Sequence, residues 1–166
     1  ELLEQRDGLM AGICNGFQAL IKLGLVPFGK IMDTDASFPT LTYNKIARHQ
    51  SKLVRIRIAS SNSPWLAATE VGDIYTVPVS HGEGRFMASP ELLKEMAADG
   101  RIITQYVDMA GNATSDIQFN PNGSDWAVEG IVSPDGRVLG KMGHSERIGA
   151  GLYKNVPGRF DMKMFE

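Results

Sequence analysis

Apolar and polar positions alternate most regularly over Ser51–Ala59. Val54, Ile56 and Ile58 fall on one side there, and Arg55 and Arg57 on the other. The pattern predicts a half-exposed strand with a solvated arginine face. Ile74–Val79 is β-branched and aromatic, and Arg101–Val107 has the same character, so both are predicted strands. Ala127–Val132 and Arg137–Met142 are two more, joined by the turn sequence Ser133-Pro134-Asp135-Gly136. Helical spacing of apolar residues runs over Phe17–Leu23 and stops at Gly24. A second helix is predicted over Pro90–Ala98, with Ser89 as its N-cap and proline in its first turn. Near the start, Glu1–Asp7 reads as the last turns of a helix ending at Gly8, and Leu9–Ile13 as a short buried strand. Strand, sharp turn and helix in close succession are the grammar of an α/β sheet. Asn120–Ser124 is a loop by composition, and 149–166 reads as a peripheral extension.

Composition narrows the class without changing this picture. The 166 residues are about one domain's worth, at roughly 100–200 residues per domain. They are 43% hydrophobic and 22% charged, which excludes a disordered tail, a coiled coil and a collagen-like fibre. Lys and Arg number 17 against 19 Asp and Glu, a net charge of -2, which argues against a nucleic-acid partner. No apolar run approaches the roughly 20 residues that cross a bilayer. The single cysteine excludes an internal disulfide and fits a reducing cytoplasm. The chain opens on Glu1-Leu2-Leu3 with neither an initiator Met nor a signal peptide, so it is expected to be cut from a longer protein.

That cysteine is the first chemical candidate. Cys14 lies in Gly12-Ile13-Cys14-Asn15-Gly16, at the end of an apolar strand and just before a helix. This is the layout of a nucleophile elbow, where glycines on either side relieve a tight turn. A helix dipole and a nearby imidazolium are expected to lower the thiol pKa. A lone cysteine is more often a small buried hydrophobe, and the two glycines and the strand-to-helix context outweigh that reading. A cysteine nucleophile needs a base. His49, among Arg48, Gln50 and Lys52, looks like ordinary surface. His81-Gly82-Glu83 and His144-Ser145-Glu146 both place a carboxylate two residues after a histidine, on the same side of an extended chain. Such a carboxylate can fix the imidazole tautomer. Spacing leaves both triplets open, and His144 is favoured by its firmer mount after a strand. His81-Gly82-Glu83-Gly84-Arg85 lacks a Gly-Lys-Ser/Thr ending, so it is not a phosphate loop. With one cysteine and no His-Glu-x-x-His helix, no metal site is expected, and Met162 and Met164 are read as packing.

Gly12-Ile13-Cys14-Asn15-Gly16-Phe17-Gln18 resembles the glutaminase motif of class I, triad-type glutamine amidotransferases. His81–Arg85, Asn120–Ser124, Val128–Gly140 and Gly143-His144-Ser145-Glu146-Arg147 narrow the resemblance to the amidotransferase domains of phosphoribosylformylglycinamidine synthases. Nearly the whole chain is covered. The resemblance implies a three-layer α/β fold of the flavodoxin-like kind, a mostly parallel sheet with flanking helices. Its first strands are missing, the amidotransferase domain occupies 1–148 and an extension occupies 149–166. It implies Cys14 as nucleophile, His144 as base and acid, and Glu146 as the orienting carboxylate. The Asn15 N–H would be an oxyanion donor, Gln18 a glutamine-pocket residue, and His81, Glu83 and Arg85 part of a pocket loop. Ser145 stands where many relatives have Pro, with little effect expected. The implied substrate is L-glutamine, and the implied partner a synthetase domain or subunit of the same enzyme. ATP and Mg would be bound there, and this chain would carry no cofactor, touch no membrane or nucleic acid and work in the cytoplasm. Both the fused C-terminal domain and the stand-alone subunit fit. A chain without its leading strands and second oxyanion donor is expected to be weak or inactive alone. The competing readings are another Cys-dependent hydrolase of similar fold and a non-catalytic scaffold.

Overall fold

A computed structural model describes residues 1–166. The elements are, in order, α1 (Leu2–Gln5), β1 (Met10–Ile13), α2 (Asn15–Lys22), α3 (Leu25–Phe28), β2 (Thr40–Tyr43), β3 (Gln50–Ile58), β4 (Ile74–His81), β5 (Glu83–Met87), α4 (Pro90–Ala98), β6 (Ile102–Tyr106), β7 (Val128–Val132) and β8 (Val138–Lys141). Short 3₁₀ turns cover Pro64–Leu66 and Asp125–Ala127.

Six strands form one sheet in the order β1-β8-β7-β6-β3-β4. Only β1 and β8 run parallel, with Met10 opposite Val138 and Ile13 opposite Lys141. The other four pairs are antiparallel. The α/β class therefore holds, but the sheet is mixed rather than mostly parallel. Direct turns account for the difference. The Ser133–Gly136 turn closes β7 onto β8, and a parallel pairing there would need a long crossover. His81–Arg85, expected as a loop, instead joins two strands: His81 ends β4, and Glu83–Arg85 begin β5, which pairs with β2 as a separate two-stranded ribbon.

The sheet divides the core in two. One cluster holds Phe17, Leu20 and Ile21 of α2, Leu25 and Val26 of α3, Leu93 and Met96 of α4, and Leu41 and Phe86 of the ribbon, packed on Val128, Ile131 and Val138. The other holds Val54, Ile56 and Ile58 of β3 and Tyr75, Val77 and Val79 of β4, closed by Leu66, Met162 and Met164. The α-helices that enter the core thus lie on one face, and a 3₁₀ turn and the chain's last residues cover the other. Segment 149–166 accordingly runs over the surface but ends in the core, where Met162 and Met164 pack as expected. Every residue of β7 and β8 is buried, since these central strands are covered on both faces.

Close packing of α2 on β1 and β8 holds the elbow in place. A Cβ at Gly12 would lie 2.6 Å from the Gly16 carbonyl carbon and from Leu20 Cδ1, and one at Gly140 would lie 2.2 Å from the Phe17 ring. A Cβ at Gly16 meets nothing within 4 Å. The strand-side glycine is therefore required sterically, and the helix-side glycine is not. Gly140→Ala is expected to cost about 1–3 kcal/mol through overpacking. Gly16→Ala should leave the denaturation midpoint unchanged or slightly raised, since alanine favours helix over glycine. Urea unfolding of the two variants side by side tests the contrast.

Candidate active site

Cys14 sits between β1 and α2 at φ 55°, ψ −107°, a region that side-chain-bearing residues rarely occupy. Two backbone bonds hold it there. Its N–H donates to the Lys141 carbonyl at 2.9 Å, and its own carbonyl accepts from the Gln18 N–H at 3.1 Å. Strained backbone at a tight strand-to-helix turn is the signature of a nucleophile elbow. Sγ contacts the Ser80 carbonyl at 3.9 Å. Burial pushes the thiol up from its ordinary value. The Asn15 N–H pulls it down, followed by Arg147, while Glu146 adds a smaller upward push. The direction is opposite to the lowering expected from the sequence. Burial of the sulfur outweighs what the Asn15 N–H, at the start of α2, and Arg147 offset.

His144 follows β8, and its N–H donates to the Pro78 carbonyl at 2.9 Å. Nδ1 lies 2.6 Å from Glu146 Oε1. Since a carboxylate only accepts, Nδ1 carries the proton and Nε2 is left with its lone pair in the neutral ring. Nε2 is buried and has no hydrogen-bond partner. Glu146 itself remains exposed, with Arg147 Nε 3.8 Å from the same oxygen.

Cys14, Asn15, Gln18, His144 and Arg147 line one cavity of about 620 Å³. His49 and His81 line it too, so the chain's three histidines all face the same space. His49 is exposed, as expected, but it also borders the cavity, with its Nε2 3.1 Å from Ser80 Oγ. The antiparallel β3–β4 register, in which Gln50 faces His81, brings it there. Only that register would have revealed His49 in the sequence. Arg147 was likewise missed as a charge acting on the cysteine, because nothing in its spacing shows how close it comes.

The region read as a pocket loop is the junction of two strands. His81 ends β4, Glu83 starts β5, and both line the cavity. Gln18 Nε2 donates to the Glu83 carbonyl at 2.6 Å, tying α2 to this wall. Arg85 is not part of the lining, because its Nε is held on the Gly123 carbonyl at 3.2 Å. His81 is 4% exposed, and neither ring nitrogen has a partner. A Cβ at Gly84 would come within 2.8 Å of its ring, so the glycine makes room for the imidazole. No group of three or more potential ligands is arranged to hold a metal ion, and no helix is long and apolar enough to cross a membrane.

The fold is that of a glutamine amidotransferase domain. The model of the CobB/CobQ-like glutamine amidotransferase domain matches residues 1–166, and the chain belongs to that family. Among curated proteins, it is 37% identical over 143 residues to phosphoribosylformylglycinamidine synthase subunit PurQ of Acaryochloris marina, covering 86% of this chain and 55% of that one. The corresponding subunit of Salinibacter ruber is 36% identical over 152 residues, covering 92% and 59%. A solved structure, PurLQS from Thermotoga maritima, superimposes with a TM-score of 0.69 at 27% identity, over 97% of this chain and 60% of that one. The chain thus spans less than two thirds of the length of each of these relatives.

Burial holds the His81 pKa down, to about 4 from an ordinary 6.5. The unfolded chain then binds a proton that the folded chain refuses between these two values. Stability should therefore fall as pH drops from about 6.5 to about 4, by roughly 3 kcal/mol at the acid end. His81→Phe should flatten that segment of a plot of unfolding free energy against pH. A slope that survives the substitution would assign the dependence to other groups.

Proposed function

We propose that this chain hydrolyses L-glutamine to glutamate and ammonia, and that the ammonia serves formation of formylglycinamidine ribonucleotide in purine biosynthesis. The observation that carries this reading is a cysteine at a strained elbow, sharing one cavity with a histidine whose Nδ1 is fixed on a carboxylate and whose Nε2 is bare. Family membership and the PurQ relatives support the same reading.

Burial raises the Cys14 pKa and so favours the thiol over the thiolate. His144 Nε2 is the acceptor for its proton as sulfur attacks the side-chain amide carbon. For that transfer the thiol turns from the Ser80 carbonyl toward Nε2. The resulting imidazolium is stabilised through Nδ1 by Glu146. It gives its proton to the leaving ammonia, then takes one from the water that hydrolyses the thioester. The first N–H groups of a helix have no partner within it, so the Asn15 N–H, which already lies against the Cys14 sulfur, is the donor proposed for the oxyanion. Gln18, His81 and Glu83 form the wall against which the rest of the glutamine lies. The ammonia leaves for a synthetase domain or subunit, where ATP and Mg activate formylglycinamide ribonucleotide. The solved neighbour named PurLQS supports a partner of this kind.

Glutamate release by the complete gene product tests the reading. Cys14→Ser is expected to lower it by at least about 10³-fold, and His144→Asn comparably. Ammonium supplied in place of glutamine should still support amidine formation in both variants. An electrophilic glutamine analogue should label Cys14, with glutamine protecting. Release that persists in Cys14→Ser would overturn the assignment.

A further inference from the structure

Behind the cavity, outside its lining, lies a fully buried ion pair. Lys141 Nζ is 3.2 Å from Glu129 Oε1, and the two side chains are 1% and 0% exposed. Burying two charges costs more than their attraction returns unless every remaining donor and acceptor is used. Here most are used. The ammonium donates to the Gly143 carbonyl at 3.0 Å and to Ser145 Oγ at 2.8 Å, while its charge faces Glu129 Oε1. Glu129 Oε1 also accepts the Gly143 N–H at 2.5 Å, and Oε2 accepts from the Thr104 hydroxyl.

These bonds all bear on the segment that carries His144. Both peptide groups flanking Gly143 are held, its N–H by Glu129 and its carbonyl by Lys141. A Cβ at Gly143 would lie 2.8 Å from Glu129 Oε1 and 2.6 Å from Val77 Cγ2, so only glycine admits the carboxylate. Past His144, the Ser145 hydroxyl is an ammonium acceptor and in turn donates to Met162 Sδ at 3.2 Å. Lys141 also reaches the other half of the site, because its carbonyl accepts the Cys14 N–H. One residue thus holds the cysteine through its backbone and both neighbours of His144 through its side chain. Ser145, expected to have little effect, is part of the support.

We infer that Glu129, Lys141 and Ser145 are positioning residues that fix the distance between Cys14 and His144. The inference rests on the glutaminase reading. The pair touches no substrate and acts through the backbone of residues 143–145.

Glu129→Gln/Lys141→Met in the complete gene product removes both charges together, so that no lone charge is left buried. Glutamate release is measured beside wild type and Cys14→Ser, with circular dichroism recording the folded fraction. The expected result is a folded protein with kcat lowered on the order of 10- to 100-fold and KM within about twofold, since misplacing reacting groups slows chemistry without loosening substrate. A folded double variant with kcat within threefold of wild type overturns the inference. If the double variant does not fold, Ser145→Ala and Ser145→Thr decide. A lowered kcat in the first that the second restores, at unchanged KM and unchanged melting temperature, upholds it. Equal kcat in both variants and wild type overturns it. Wild type that releases no glutamate, or that releases it as well in Cys14→Ser, fails the glutaminase reading itself and is told apart by those controls.

Discussion

The parallel pairing of β1 with β8 is the constraint on which the site depends. Parallel neighbours end at the same side of a sheet, so the segments leaving them emerge side by side. Cys14 leaves β1 just past Ile13, and Gly143-His144 leaves β8 just past Lys141, its register partner. Had these strands run antiparallel, the cysteine and the histidine would stand at opposite edges. The other strand pairs are antiparallel and connect more locally. They supply a wide, twice-covered platform, and the single parallel pair brings the chemistry together.

Much of this architecture could be read from the residues. The alternation over Ser51–Ala59 became β3, and the turn Ser133–Gly136 became the β7–β8 hairpin. The Pro90 helix and its Ser89 cap stand as written, with the Ser89 hydroxyl accepting the Leu92 N–H. These features depend on local periodicity and on caps that act within a few residues. Strand direction does not. Whether β6 runs parallel or antiparallel to β3 depends on the path of the chain between them, and period-2 alternation is the same either way. The β2–β5 ribbon is nonlocal for a related reason. Its glycine-containing strand, Glu83–Met87, reads as loop until its partner Thr40–Tyr43 is known.

The site divides along the same line. Cys14 and the two His-x-Glu triplets are carried by short motifs whose geometry is local, an elbow and a triplet on extended chain, whereas spacing does not choose His144 over His81. The environment was not visible. The helix N-terminus behind Cys14 pointed to a lowered pKa, whereas burial beside Ser80 and His81 raises it, and burial is a sum over segments far apart in sequence. His49 and Arg147 enter the cavity for the same nonlocal reason. The Glu129–Lys141 pair was hidden more deeply, because a lone Glu in one strand and a lone Lys in the next read as ordinary solvated charges until the strands are laid side by side.

The span of the β1–β8 pairing also bears on how the protein comes into being. Met10 waits for Val138, and Cys14 for His144, so the two halves of the site are contributed by opposite ends of the chain. Contacts this remote form late and slowly, because long loops must close before any stabilisation is gained. During synthesis Cys14 is added before His144, so the acceptor proposed for its proton is absent until the later strand has been made. The proposed pair comes together only when β8 joins β1, which would make its chemistry a report on the finished sheet.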